Sequence, residues 1–252
     1  MADLKPAVRP RTLAVIPARL GSTRLPRKVL RQIAGEPMLA WVYRAARACP
    51  LLDRVLIATD SDEVLAFAQQ HNLPAVFTPA DCPSGTDRVH AVAQSIPADI
   101  YVNIQGDEPM LRPEHIQALL KPFENNDAAV STLATPCAPS DINNPHAVKV
   151  VTAANGRALY FSRATIPCDR DQQGTARYLK HLGLYAYRKA ALQKFPTLPH
   201  SALEATEKLE QLRFLENGID IYVTETPYDT IGVDTEEDLQ RVEQILLASK
   251  VS

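Results

Sequence analysis

The sequence predicts an α/β fold: a mixed, mainly parallel sheet flanked by helices, with a smaller antiparallel region in the second half. Short β-branched runs alternate with amphipathic stretches through the first half, as parallel strands joined by crossover helices do. A length of 252 residues with 46% hydrophobic content suffices for one large core. The Asn155-Gly156 pair, set between two β-rich segments, is a strong hairpin signal.

Thr12 to Ile16 is apolar and β-branched, as a strand buried on both faces should be, and Pro17 is expected to stop it. A helix follows near Pro37 to Ala48, with Pro37 suited to its first turn, then a strand at Arg54 to Ala58. Ser61 caps a helix running to about His71, and Ala75 to Phe77 is a short strand. The loop Thr78 to Thr86 leads to a helix with Val89, Val92 and Ala93 on one face. Ile100 to Ile104 is a central strand, Pro113 opens another helix, and Ala129 to Ala134 is the next strand. Val148 to Thr152 and Ala158 to Ser162 flank the hairpin, and Leu182 to Tyr187 completes the antiparallel region. Leu203 to Asn217 is expected as one helix, stopped by Gly218, with Leu209, Leu212 and Leu215 buried and Glu210 and Gln211 turned away. Ile219 to Val223 returns to strand, and Thr235 to Leu247 is the last helix, acidic in its first turn.

A single domain is expected over 12–247, its antiparallel region within about 135–190, after a flexible extension at 1–11 and before a tail at 248–252. Lys plus Arg total 27 against 29 Asp plus Glu, a net charge of −2 that gives no general pull toward nucleic acid or anionic membrane. No export signal and no apolar run of about 18 residues is read. The four cysteines, Cys49, Cys82, Cys137 and Cys168, lack the close pairs of zinc sites and are read as reduced thiols in a cytoplasmic protein.

In an open α/β sheet, ligands gather beyond the carboxyl ends of the strands. After the first strand, Arg19, Arg24, Arg27 and Lys28, with Gly21, Ser22 and Thr23, form a mouth suited to a polyphosphate. Asn103, Gln105, Gly106, Asp107 and Glu108 close the central strand, and Asp234 stands just before the last helix, where it is either a helix cap or a ligand. Asp107 and Asp234 together suit magnesium, which takes one or two carboxylates and completes its shell with water and phosphates. The segment Ser84 to Arg88 is either a capped helix start, with Thr86 as the cap, or a holder of a base or acidic substrate. There is no G-x-G-x-x-G, no P-loop and no G-x-S-x-G, which argues against a dehydrogenase, a P-loop NTPase and a serine hydrolase.

The strings IPARLGSTRLP, SGTDR, NIQGDEP, NPHAVKVV, ALYFSRATIP, KHLGLYAYR, LEQLR and GVDTEEDL occur in that order between about Thr12 and Leu247. Through them the chain resembles the 3-deoxy-manno-octulosonate cytidylyltransferases, or CMP-Kdo synthetases. The resemblance implies a nucleotidyltransferase-type (Rossmann-like) fold, a homodimer built largely through the second-half strands, and Mg2+-dependent transfer of CMP from CTP to the sugar acid Kdo with release of pyrophosphate. It implies Arg19, Ser22, Arg24 and Lys28 around the CTP phosphates, Ser84 and Gly85 near cytosine, and Asp107 and Asp234 as magnesium ligands. Arg19, Lys28, Asp107 and Asp234 are then the catalytic set. Arg88, Gln105, Arg163, His181, Tyr185, Glu210 and Gln211 fall at the sugar acid, with Arg163 suited to its carboxylate by a bidentate fork.

The implied chemistry is attack of the Kdo C2 hydroxyl on the α-phosphorus, with Asp107 bridging a second magnesium in a two-ion version. The implied setting is a Gram-negative cytoplasm, ahead of lipopolysaccharide assembly. Other readings are an 8-amino-8-deoxy-Kdo or sialic-acid-like substrate, or a catalytically silent nucleotide-binding module. The chain departs from the family at Arg27, where glycine is common, and at Cys168, where an aromatic residue often follows the Ile-Pro pair.

Overall fold

Thr12–Ala18 (β1) carries a run of side chains buried almost throughout, and the rest of the sheet is assembled on it. The structure is a computed structural model that describes residues 9–21, 24–125 and 128–249. β1 passes through Pro17 and pairs in parallel as far as Ala18 with the fourth strand, so the expected stop is corrected. The central-strand side of the ladder has already ended at Val15, so the missing Pro17 N–H removes no hydrogen bond there.

Beyond β1 come a two-residue hairpin, Gln32–Ile33 (β2) and Glu36–Pro37 (β3), and the helix Met38–Arg47 (α1). Arg54–Thr59 (β4), Asp62–Gln70 (α2), Ala75–Phe77 (β5), Gly85–Ser95 (α3) and Ile100–Asn103 (β6) follow. Pro113–Leu120 (α4), Pro122–Asn125 (α5) and Val130–Pro136 (β7) close the first half. Lys149–Thr152 (β8) and Ala158–Ser162 (β9) form the antiparallel hairpin, and Leu179–Arg188 (β10) is followed by Lys189–Lys194 (α6). Ala202–Glu207 (α7), Gln211–Glu216 (α8), Ile221–Glu225 (β11) and Glu236–Ser249 (α9) complete the chain.

The main sheet runs β11-β7-β10-β6-β1-β4-β5, with β8 and β9 attached through β10. The β1, β4, β5 and β6 pairings and the β7–β11 pairing are parallel. β10 is antiparallel to both β6 and β7, so it lies inside the main sheet rather than in a separate antiparallel region, touching β8 only at Lys180 and Lys149. Its register slips between Leu182 and Tyr185, leaving Gly183 and Leu184 as a bulge.

Helices α1, α2 and α4 bury Leu39, Val42, Val64, Ile116 and Leu119 on one face of the sheet. α3, α6 and α8 bury Val89, Val92, Leu192, Leu212 and Phe214 on the other. A smaller cluster joins Leu25, Ile33 and Met38 to Leu239 and Val242 of α9, which seats the last helix beside the arginine loop. Arg9 reaches the Leu51 carbonyl at 2.8 Å and the Arg11 amide reaches Asp99 at 2.7 Å, while residues 1–8 of the expected extension and 250–252 of the tail lie outside the described residues.

The single helix expected over Leu203 to Asn217 is two helices. Lys208 adopts a left-handed backbone at φ 55°, and the chain turns before α8 begins. Arg27 is also left-handed at φ 57°, a conformation that glycine adopts most readily, and its side chain pairs with Glu63 of α2.

Gly106 lies directly against β1: a β-carbon there would stand 2.9 Å from the Pro17 carbonyl oxygen and 3.5 Å from Val29. Gly106→Ala is therefore expected to lower stability by about 1–3 kcal/mol in chemical denaturation, because backbone must move to admit the methyl group.

Candidate active site

Two acidic loops meet over β1. Asp107 follows β6, Asp234 precedes α9, and the Val233 amide donates to the Asp107 carbonyl at 2.9 Å, joining the loops through the backbone. Asp234 is not the cap of α9. Thr235 and Asp238 cap each other there, with Asp238 Oδ2 also accepting from the Asp234 amide at 3.1 Å, so the Asp234 carboxylate is left for the site.

Lys28 Nζ donates to Asp107 Oδ2 at 2.5 Å and to Asp234 Oδ1 at 2.8 Å, and Arg24 donates to Asp234 Oδ2 at 2.8 Å. Burial works against the Lys28 ammonium, but the Asp107 charge and hydrogen bond, with Asp234 behind them, raise its pKa above the usual lysine value. Burial likewise opposes the Asp234 charge, yet Lys28 first and Arg24 second hold its carboxyl below the usual range. Among the described residues no group of three or more His, Cys, Asp and Glu side chains gathers to hold a metal. Two carboxylates sharing one ammonium suit a hard cation that takes its other ligands from phosphates and water rather than from a closed protein cage.

Around this pair lies a cavity of about 310 Å³ lined by Arg19, Arg24, Lys28, Gly85, Gln105, Asp107 and Asp234. Arg19 also donates to the Cys82 carbonyl at 2.7 Å, tying the β1 loop to the segment before α3. Ser22 lies outside the described residues. Ser84, not Thr86, caps α3, its hydroxyl and the Asp87 carboxylate forming a capping box, while Gly85 lines the cavity.

A second cavity of about 820 Å³ is lined by Gln105, Arg163, His181, Tyr185, Glu210 and Gln211. Arg24, Gln105 and Asp234 line both cavities, so the two adjoin at these side chains. Six of the seven residues expected at the sugar acid thus converge. Arg88 does not: its guanidinium is wholly buried, donating to Thr78 at 2.5 Å and to Asp60 at 2.9 Å, and it braces α3 against the ends of β4 and β5.

Arg163 keeps only part of the expected fork. Its Nε–H goes to the Glu207 carbonyl at 2.8 Å, and Nη1 and Nη2 each donate to a further carbonyl, of Pro145 at 3.1 Å and Lys208 at 3.4 Å. One N–H on each Nη remains, leaving two donors for a carboxylate. Lys149 buttresses this loop. Fully buried, it donates through Nζ to the carbonyls of Asn144 at 2.8 Å, Ala147 at 2.5 Å and Arg163 at 2.9 Å. The break at Lys208 brings Glu210 and Gln211 to the cavity instead of turning them outward, and Glu210 accepts from Thr86 at 2.8 Å.

Glu108 and Lys180 also line this cavity, outside the expected site set. Glu108 is buried, and burial followed by the neighbouring Asp107 charge pushes its carboxyl up to about 8 against a hydrogen bond from Thr230 and the charge of Lys180. Lys180 lines the same cavity and pairs with Asp229 at 2.8 Å. The second carboxylate of the QGDEP string was the signal for Glu108; Lys180, in a strand, gave none.

Burial lowers the pKa of His181 to about 3 and that of His115 below the usual 6.5. Folded, the His181 ring stays neutral where the unfolded one takes up a proton as pH falls through about 6.5, and the His115 ring protonates less readily folded than unfolded, so each contributes a loss of stability in acid. The stability of the wild type relative to His181→Asn is expected to shrink by up to about 2 kcal/mol between pH 7 and pH 5 in matched denaturant titrations.

The cytidylyltransferase family model matches residues 13–221. The 3-deoxy-manno-octulosonate cytidylyltransferase of Acidobacterium capsulatum is 72% identical over 238 residues, covering 94% of this chain and 97% of that protein. The protein of the same name from Koribacter versatilis is 59% identical over 236 residues, covering 94% and 90%. The solved structure of CMP:2-keto-3-deoxy-manno-octonic acid synthetase complexed with CTP superposes with a TM-score of 0.91 at 41% identity, over 95% of this chain and 99% of that one. A putative glucose-1-phosphate thymidylyltransferase from Bacillus anthracis, at 16% identity and TM-score 0.65, covers 93% and 94% and shares the fold.

Proposed function

Because the chain belongs to the 3-deoxy-manno-octulosonate cytidylyltransferases, we propose that it transfers CMP from CTP to the C2 hydroxyl of Kdo, releasing pyrophosphate. The observation that carries this reading is the adjacency of the two cavities, which share Arg24, Gln105 and Asp234 beside the Lys28–Asp107 pair: a nucleotide's phosphates would take one side and a sugar acid the other.

Arg19, Arg24 and Lys28 bind the triphosphate and balance its charge as the bond to the β-phosphate breaks. Gly85, at the start of α3, gives the nucleotide a close backbone approach and the positive end of a helix. Arg163 offers its two remaining Nη–H donors to the sugar-acid carboxylate, while Tyr185, Glu210 and Gln211 orient the hydroxyls. Gln105, shared by both cavities, stands where the C2 hydroxyl must meet the α-phosphorus. Its Nε2 donates to the Gly183 carbonyl at 3.3 Å, which steadies the side chain across the gap. Asp107 and Asp234 would hold Mg2+, which when bound neutralises phosphate charge and makes the attacking hydroxyl more acidic.

A homodimer is part of the same proposal. Among the described residues β9 pairs only with β8, leaving one edge of the hairpin for a partner strand, and Leu159 on it is 55% exposed. The proposed setting is a Gram-negative cytoplasm, ahead of lipopolysaccharide assembly; among the described residues no helix is long and apolar enough to cross a membrane.

The test is pyrophosphate release from CTP with magnesium, with and without Kdo. Release that depends on Kdo is expected, and none with any keto sugar acid would refute the proposal. Asp107→Asn is expected to lower the rate at least about a hundredfold with an unchanged circular dichroism spectrum. Near-normal turnover in that variant would remove Asp107 from the chemistry.

A further inference from the structure

Thr132 lies in β7 beneath the larger cavity, fully buried, and no motif points to it. Its Oγ1 is 2.7 Å from the Leu184 carbonyl oxygen, 3.3 Å from that of Leu182, and 2.9 Å from His181 Nε2. The β10 bulge sets up this meeting: with the register slipped between Leu182 and Tyr185, both carbonyls turn to the threonine side chain. A hydroxyl has one hydrogen, and carbonyl oxygens only accept. The Thr132 hydrogen goes to Leu184, so the contact with His181 requires Nε2–H as donor and Oγ1 as acceptor.

That assignment settles the other side of the ring. Burial keeps His181 neutral at physiological pH, so Nδ1 carries a lone pair and no hydrogen. Among the described residues nothing hydrogen-bonds Nδ1, and His181 lines the cavity. The ring plane is set by Phe161, edge-on with centroids 5.1 Å apart, and by Tyr185 at 5.4 Å. An aromatic nitrogen lone pair repels a carboxylate and takes a hydrogen bond from a hydroxyl, so the two ends of a sugar acid are told apart: carboxylate to the Arg163 N–H pair, hydroxyl to His181.

We propose that Thr132 is a positioning residue that fixes His181 in its Nε2–H form, making Nδ1 the acceptor for a hydroxyl of the sugar acid. The identity of that substrate rests on the function proposed above; the form of the imidazole does not. Thr132→Ser keeps the hydroxyl and Thr132→Val keeps the shape without it, so the pair separates hydrogen bonding from packing.

The tautomer is read in the full-length chain, with 15N-labelled histidine and no substrate, by long-range 1H–15N correlation. His181 is expected to show a protonated Nε2 and an unprotonated Nδ1 in the wild type and in Thr132→Ser. Thr132→Val is expected to show a mixture, and a protonated Nδ1 in the wild type would overturn the proposal whatever reaction the chain performs. In kinetics, Thr132→Val is expected to raise KM for Kdo about tenfold, with kcat and KM for CTP within about twofold of wild type, and Thr132→Ser to restore it. An unchanged KM for Kdo in Thr132→Val, or equal loss in Thr132→Ser, would also overturn it. Should Thr132→Val fail to fold, the wild-type and Thr132→Ser spectra still decide.

Discussion

Lys28 shared between Asp107 and Asp234 is the contact on which the rest of the site depends. Two carboxylates from loops more than a hundred residues apart in sequence repel at close range unless a cation lies between them, and Lys28 supplies it at 2.5 and 2.8 Å. Several otherwise local features serve this meeting. Gly106 lets the Asp107 loop lie against β1, the Val233 amide clips the second loop to the first, and the Thr235–Asp238 cap frees Asp234 from its helix. The same convergence makes the centre responsive to charge, because on the proposed function a nucleotide's phosphates entering beside Lys28 and Arg24 would compete for the cations that now neutralise the two aspartates.

The second organising device is β10. It runs antiparallel between β6 and β7, and the bulge at Gly183 and Leu184 interrupts its ladder beside the larger cavity. His181 and Tyr185 lie on either side of the bulge, Gly183 approaches Glu108, and Gln105 reaches the Gly183 carbonyl from the neighbouring loop. Opposite, the left-handed turn at Lys208 brings in Glu210 and Gln211, and buried Lys149 holds the Arg163 loop by three carbonyls. The wall of the larger cavity is thus built from bends in regular elements.

Strands β1, β4 and β6 were legible because a strand buried on both faces leaves a continuous apolar run, a purely local signal. The convergence of Asp107 and Asp234 was legible from topology, since each follows a strand at the carboxyl end of the sheet. What local pattern does not carry was misplaced. The insertion of β10 into the main sheet depends on partners far away in sequence, and Lys208 offers no glycine to mark a left-handed residue. Arg88, in the middle of a polar string, reads as a ligand for an anion; only the fold shows Asp60 and Thr78 waiting for it. Thr132 is an ordinary strand residue until the β10 bulge gives its hydroxyl three neighbours.

The central claim is that both aspartates hold one divalent ion together with the nucleotide. Electron paramagnetic resonance of Mn2+ titrated into the full-length protein with CTP, for the wild type, Asp107→Asn and Asp234→Asn, tests it without relying on turnover. One Mn2+ bound per chain is expected in the presence of CTP, with affinity reduced at least about tenfold in each variant. Wild-type Mn2+ affinity in either variant would contradict it.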